Sequence, residues 1–240
     1  DGSKFSIRSG KSKFSLSCLP KEDFPLIEFD KFNTEFSINS QVLLNLIEKT
    51  RFAISNEETR YFLNGIYFHK KNINNLDYLC FVATDGHRLA KITFQYQNGL
   101  IDIPGVIIPK KTVNELCKLL AGYSEDITIN LDPSKIIFYI GKIVLVSKLI
   151  DGNFPDYQRV IPKNNNNILN VNKNTFCEAV DRVSTITSEK SRAIKFKLLN
   201  NLINMTSTDA ENGSASEDIL AEYDGEEIEI GFNSKYILEM

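Results

Sequence analysis

The chain has 240 residues, a length that suits one large domain or two ordinary ones and supplies a sizeable core. With 42% hydrophobic and 25% charged residues, 12 Gly and 7 Pro, its composition excludes a disordered, collagen-like or mucin-like chain. The formal net charge of −3 provides no global basic field, so any nucleic-acid contact must come from local patches.

The longest apolar run, residues 136–146, contains Gly141 and Lys142 and is far shorter than the roughly 18 residues of a spanning helix, so no membrane partner is expected. Cys18, Cys80, Cys117 and Cys177 are widely spaced with no C-x-x-C pair, which reads as reduced thiols packed in the core of a cytoplasmic protein. The chain starts at Asp1 without a charged-then-apolar leader and runs out at Leu238-Glu239-Met240 inside an apparent helix, so both ends read as cut.

In chain order, Gly10 precedes an alternating run at residues 14–19 that ends at Phe24-Pro25. Phe36-Ser37-Ile38-Asn39 then leads into Val42, Leu43, Leu46, Ile47 and Thr50, the apolar stripe of a helix capped by Asn39. Residues 61–68 and 78–83 are rich in β-branched and aromatic side chains, as strands are. Asp85-Gly86 supplies the positive φ angles of a two-residue hairpin turn and is expected to pair residues 79–84 with 87–96. After Ile107-Ile108-Pro109, Thr112-x-x-Glu115 reads as a capping box opening a helix with Val113, Leu116, Cys117, Leu119 and Leu120 inward. Strands are expected again at residues 127–130, 135–140 and 143–149, and the four-Asn run 164–167 reads as a linker.

A repeat organises these elements. Leu169-Asn170-Val171-Asn172 leads into Phe176, Cys177, Ala179, Val180 and Val183, and 133 residues separate Asn172 from Asn39. Independently, 130 residues separate Phe154-Pro155 from Phe24-Pro25, each ending a similar glycine-then-strand run. The agreement implies tandem α+β modules of about 130 residues, each with two helices packed on an antiparallel sheet. The expected division is the tail of a first module over residues 1–32, a complete second over 33–160, a linker over 161–167 and the start of a third over 168–240.

Catalytic and metal motifs are missing: the chain has only His69 and His87, no Walker loop, no G-x-S-x-G and no zinc spacing. The adjacent carboxylates Glu57-Glu58 and Glu226-Glu227 point to opposite faces if extended and read as solvated surface. The densest polar stretch, residues 84–89, fits either a rigid hairpin tip gripping a partner's peptide or an ordinary exposed turn. Residues 151–160 fit either one wall of a cleft between modules or a linker pinned by Phe154 and Tyr157. Lys49, Arg51, Lys110, Lys111, Lys118, Lys173 and Arg182 flank the helical stripes; each set is a solvated face, or together they line a surface for a phosphate backbone.

Five ordered stretches carry a resemblance. Residues 82–90 (Val82-Ala83-Thr84-Asp85-Gly86-His87-Arg88-Leu89-Ala90) stand with Arg60-Tyr61-Phe62-Leu63-Asn64-Gly65 upstream and Asp151-Gly152-Asn153-Phe154-Pro155-Asp156-Tyr157 downstream. Arg8-Ser9-Gly10-Lys11-Ser12-Lys13-Phe14-Ser15-Leu16 and Glu229-Ile230-Gly231-Phe232-Asn233 complete the set. Together they closely resemble the bacterial DNA polymerase III beta subunit family, the sliding clamps, over essentially the whole chain.

That resemblance implies three tandem modules per full chain and a head-to-tail homodimeric ring around double-stranded DNA, held without regard to sequence. It implies a non-catalytic processivity factor of the bacterial cytoplasm with no cofactor and no metal. The implied partners are the polymerase III catalytic subunit, the clamp loader and other proteins carrying a clamp-binding motif. Carried over, the partner-peptide pocket comprises Leu63, Thr84, Gly86, His87, Arg88, Leu89, Pro155, Arg159 and Val160, extended by Phe62, Asn233 and Tyr236. Arg88 and Arg159 are expected to face each other across it. Phe62 stands where the family commonly has Tyr, the first module is nearly absent, and the strand completing the pocket floor lies beyond Met240. The rival readings are a DNA-processing enzyme with Asp85 and His87 as acid-base pair, and a purely structural repeat scaffold.

Overall fold

A computed structural model describes residues 4–24, 32, 34–97, 103–188 and 191–240. It divides into two compact units, residues 1–33 and 34–240. In the first, β1 (Lys4–Ser9) and β2 (Ser12–Ser17) form an antiparallel hairpin turned by Gly10 at φ +56°. Phe5 lies opposite Leu16 and Ile7 opposite Phe14, so one face of the hairpin is apolar. Of the Phe24-Pro25 landmark, Pro25 lies outside the described residues.

The second unit begins with β3 (Thr34–Asn39), α1 (Ser40–Arg51), β4 (Gly65–Ile73), β5 (Leu76–Thr84) and β6 (Leu89–Gln95). There follow β7 (Val106–Pro109), α2 (Lys110–Leu120), β8 (Asp126–Leu131), β9 (Lys135–Ile140) and β10 (Ile143–Lys148). In place of the single sheet expected from the sequence, these strands form two four-stranded antiparallel sheets, ordered β10-β9-β8-β3 and β6-β5-β4-β7. The split follows from β7, which pairs with β4 while its Ile107 bridges Ile150 just after β10, so two sheets meet at this edge.

Alternation decides what is buried: β3 turns Phe36 and Ile38 inward, β8 turns in Ile127, Ile129 and Leu131. Leu43, Leu46, Ile47 and Thr50 of α1 and Val113, Leu116 and Leu120 of α2 cover the same core. Three rings tie the sheets together, Phe68 packing 6.1 Å from Phe36 and 4.8 Å from Phe81. Each such buried side chain contributes roughly 1.5–3 kcal/mol.

A second core is built from α3 (Lys173–Ser184), β11 (Ala193–Leu199), β12 (Leu202–Asp209), β13 (Gly213–Leu220), β14 (Ile228–Asn233) and α4 (Ser234–Leu238). Its strand order, β13-β12-β11-β14, repeats β6-β5-β4-β7, and β14 passes directly into α4 as β7 passes into α2. Both α1 and α3 have 12 residues and both are capped by asparagine. Asn39 Oδ1 accepts from Gln41 N at 3.1 Å while its amide donates to the Ser124 carbonyl and Asp126 Oδ1, both at 3.2 Å. Asn172 Oδ1 accepts from Thr175 N at 3.1 Å. The asparagine run at residues 164–167 has no regular structure, and the last helix ends at Leu238 with Glu239 as its C-cap.

Three local expectations are corrected. Residues 58–63 form a 3-10 turn and the strand begins only at Gly65, because the Glu57–Arg60 ion pair and the Asn64 amide on the Glu57 carbonyl close the turn. The hairpin after β5 has a four-residue loop, 85–88, with Thr84 paired to Leu89, since side chains satisfy the loop amides. Thr112 caps nothing: Pro109, with φ fixed at −60°, takes the N-cap position, and the Thr112 hydroxyl bonds Ser147 Oγ at 2.6 Å. The four cysteines are free thiols, but only Cys80 is fully buried and Cys18 is exposed. Among the described residues no helix is long and apolar enough to cross a membrane.

Because Asn39 caps α1 and also fastens the start of β8, Asn39→Ala is expected to destabilise by about 1–2 kcal/mol, and Asn172→Ala by less. Urea unfolding of the two variants checks this; equal losses would deny Asn39 its second role.

Candidate functional site

A groove of about 910 Å³ opens on the outer side of the β4–β6 sheet. The 3-10 turn at residues 58–63 supplies Arg60, Phe62 and Leu63, and the β5–β6 hairpin supplies Thr84, Gly86, His87, Arg88, Leu89 and Lys91. The opposite side is the segment from Pro155 to Pro162, which contains a second 3-10 turn, Tyr157–Arg159. Leu63 is buried at its base, whereas Val160 stands 68% exposed at its lip, a ready apolar contact for a ligand. The far segment is fastened by Phe154, stacked on Tyr67 at 4.8 Å and 7°, and by Tyr157, buried against Cys80 and Val82. Phe154 and Tyr157 therefore pin this stretch and present a groove wall at once.

Of the expected pocket residues, Phe62, Leu63, Thr84, Gly86, His87, Arg88, Leu89, Pro155 and Val160 line this groove. Arg159, Asn233 and Tyr236 do not. Arg159 is 84% exposed in its side chain and turns back to Asp156 at 2.9 Å. Asn233 caps α4, its Oδ1 accepting from Lys235 N at 3.0 Å. Tyr236 stacks on His87 and lies 4.4 Å over the Arg88 guanidinium, in an adjacent polar hollow of about 730 Å³.

The expected facing of Arg88 and Arg159 is thus corrected. Arg88 Nε bonds Asp85 Oδ2 at 3.0 Å, Nη2 donates to the Phe52 carbonyl at 2.6 Å, and Nη1 meets Glu239 Oε2 at 2.6 Å. Leu89, the first residue of β6, points into the groove, and Arg88, the last residue of the loop, turns its guanidinium towards those acceptors. Gly86 has φ +90°, which favours glycine, and a Cβ there would also crowd the Arg60 guanidinium. Arg60 itself is clamped by Glu57 at 2.6 and 2.7 Å and donates to the Asp85 carbonyl.

Arg60, Lys91, Asp156, Tyr157, Ile161 and Pro162 also line the groove without having been singled out as pocket residues. Lys91 was within reach of the period of two, since it shares a face with Leu89; the turn that carries Arg60 left no such trace. The Asp85–His87 acid-base pair is not built: Asp85 touches His87 only through the His87 backbone amide, and its other oxygen holds Arg88. No group of three or more His, Cys, Asp or Glu among the described residues converges as a metal site.

Of the basic residues, Arg51, Lys111 and Lys118 gather around a hollow of about 520 Å³ between α1 and α2, with Glu48 and Glu115 beside them. Lys49 is exposed on α1, and Lys110 is half-buried and donates to Asn56 Oδ1. Lys118 pairs with Glu115 at 2.9 Å. On α3, Lys173 is exposed, but Arg182 is held by Glu217 at 2.6 and 3.1 Å, which removes much of its charge from that face.

Comparison with known proteins places this arrangement. A model of the DNA polymerase III beta subunit central domain matches residues 37–156, and one of its C-terminal domain matches residues 158–240. The chain belongs to the DNA polymerase III beta subunit family. It is 44% identical over 240 residues to the beta sliding clamp of Caulobacter vibrioides and 35% identical to that of Escherichia coli K12, covering 100% of this chain and 64% of each relative. The structure of a Bartonella birtlesii sliding clamp bound to griselimycin superposes with TM-score 0.93 at 47% identity, and a Pseudomonas aeruginosa beta subunit with 0.90 at 36%. Both matches cover 100% of this chain and 64% of the other. The chain thus spans just under two thirds of the length of the relatives it matches.

Burial raises the Asp85 pKa, but the His87 and Arg88 amides and the Arg88 guanidinium outweigh it and hold the carboxyl below its usual value. A depressed acid stabilises the fold above the unfolded-state pKa and loses that contribution as pH falls through the folded-state value. The melting-temperature gap between wild type and Asp85→Asn should therefore be widest at neutral pH and shrink between about pH 5 and pH 2. A gap independent of pH would show that the charge contributes nothing.

Proposed function

We propose that this chain belongs to a sliding clamp: a non-catalytic processivity factor that encircles duplex DNA and tethers a replicative polymerase through a peptide bound in the groove. The observation that carries this reading is the groove itself, with Leu63, Leu89, Pro155 and Val160 as apolar walls. Membership of the beta subunit family and the names of the relatives support it. In this reading residues 1–32 close a first module, 33–160 form the second, 161–167 are a linker and 168–240 open the third. The ring is a homodimer in the bacterial cytoplasm, and its partners, polymerase catalytic subunit and clamp loader among them, share the one groove.

Affinity for a partner comes from burying one or two large apolar side chains, roughly 1.5–3 kcal/mol each. In this reading Arg88, with three of its five N–H donors on Asp85, Glu239 and the Phe52 carbonyl, serves chiefly to hold the hairpin tip. A fluorescein-labelled peptide ending in Leu-Phe should bind the wild type and fail to bind Leu89→Asp or the lip variant Val160→Asp, with melting curves confirming that the variants fold. Equal affinities would place the site elsewhere.

DNA is held through phosphates alone, by Lys49, Arg51, Lys110, Lys111 and Lys118 on the α1–α2 face, with Lys173 and a largely neutralised Arg182 on α3. Each phosphate contact steepens the fall of log affinity with log salt by roughly 0.9. Replacing Lys110 and Lys111 together by Gln should reduce that slope for duplex DNA by up to about 1.8, equally for unrelated sequences. A sequence preference that survives high salt would contradict this.

A further inference from the structure

The groove's far wall rests on a chain of hydrogen bonds that the peptide reading does not use. His69 Nδ1 lies 2.9 Å from the Lys70 carbonyl oxygen, which can only accept, so the ring proton sits on Nδ1 and Nε2 is left as an acceptor. Nε2 is 3.1 Å from the Tyr157 hydroxyl, which donates to it. Cys80 Sγ stands 3.6 Å from the same hydroxyl and donates its thiol hydrogen. One polarised chain therefore runs from thiol to hydroxyl to imidazole to backbone carbonyl. Tyr157 is 5% exposed, Cys80 is fully buried, and Tyr67 stacks on the imidazole at 4.7 Å and fixes its plane. Tyr157 sits in the chain between Pro155 and Val160, two of the apolar residues of that wall.

We propose that His69 is a positioning residue for the groove: through Tyr157 it holds the Pro155–Val160 wall against the sheet, and proton uptake by His69 releases that wall and weakens ligand binding. The inference rests on reading the groove as a peptide site.

The surroundings of His69 make a proton unwelcome there. By register, its face of the sheet carries Tyr67 and Lys71 on β4, Tyr78, Cys80 and Val82 on β5, and Lys91, Thr93 and Gln95 on β6, with Tyr157 laid across them. This face has no carboxylate; Asp77 lies on the opposite one and is paired with Lys70 at 3.1 Å. Burial first, then the Lys71 and Lys91 charges, hold the imidazole below its usual pKa against the pull of the Lys70 carbonyl. A protonated Nε2 would become a donor, so the Tyr157 hydroxyl would have to turn its proton away from the ring, towards Cys80 Sγ, a weak acceptor, or the Gln158 side chain beside it. The proton is therefore taken up by the state in which Tyr157 has left. Since the docked pKa is the lower one, the wall is fully held above the ordinary imidazole range and is lost as pH falls below it.

The test follows two readouts on this chain between about pH 8 and pH 5.5: the Val160 methyl signals by NMR, and the affinity of the fluorescein-labelled peptide ending in Leu-Phe. His87 also lines the groove, so both are measured in a His87→Gln background and again with His69→Gln added. The Val160 methyls should move with the midpoint of the His69 Hε1 signal, and affinity should fall about fivefold, the size of one ordinary hydrogen bond. With His69→Gln, whose side-chain oxygen still accepts from Tyr157, both responses should vanish, and with Tyr157→Phe affinity should be low at both pH values. Val160 methyls that stay still while His69 titrates, or an affinity profile unchanged by His69→Gln, would overturn the proposal. If the methyls follow His69 but no peptide binds at any pH, the peptide reading fails and the positioning role stands.

Discussion

Asp85 organises the tip of the β5–β6 hairpin with one carboxylate, Oδ1 taking the amides of His87 and Arg88 at 3.0 Å each and Oδ2 taking Arg88 Nε. The loop can then leave β5 and return as β6 with no unsatisfied amide, and the return register of Leu89 opposite Thr84 follows. That register settles the division of labour. Leu89 is turned into the groove, while Arg88 is turned the other way, where it joins Phe52 at the end of α1 to Tyr236 and Glu239 at the end of the chain. The apolar site and the polar joint beside it meet where the loop passes into β6.

The sequence is most informative where a local interaction suffices to define an element. Asn39 and Asn172 cap their helices because a short amide side chain next to an apolar stripe needs nothing distant to do so, and the repeat was legible from them. Thr112-x-x-Glu115 has the same local form, yet Pro109 had already started the helix, so the motif fell inside it. The period of two sets Arg88 opposite Leu89, but its acceptors were not legible: two of the three, Phe52 and Glu239, lie 36 and 151 residues away. For the same reason the pocket residues carried over from the family separated into those lining the groove and those, such as Tyr236, that stand behind it.

A net charge of −3 and a cluster of basic residues between α1 and α2 are reconciled by position rather than by number. Arg51, Lys111 and Lys118 crowd one hollow between two helices, while many acids are spent pairwise elsewhere, as Glu57 on Arg60, Asp77 on Lys70 and Glu227 on Lys197. Each such pair is electrically quiet at a distance beyond a Debye length, so the field over the helical face is set by its own residues.

The passage from β7 into α2 has no connecting loop: Pro109 ends the strand and Lys110 begins the helix. Gly65 lies opposite Pro109, and a Cβ on it would collide with the Ile108 carbonyl oxygen, so this pairing of β4 with β7 leaves no room for a side chain at residue 65. Strand and helix are consequently geared. Sliding β7 by one residue against β4 would turn its side chains to the other face of the sheet and carry the start of α2, with Lys110 and Lys111, about 3.3 Å along the strand. The hydrogen glycine carries in place of a side chain at residue 65 thus helps fix the position of charges more than forty residues downstream.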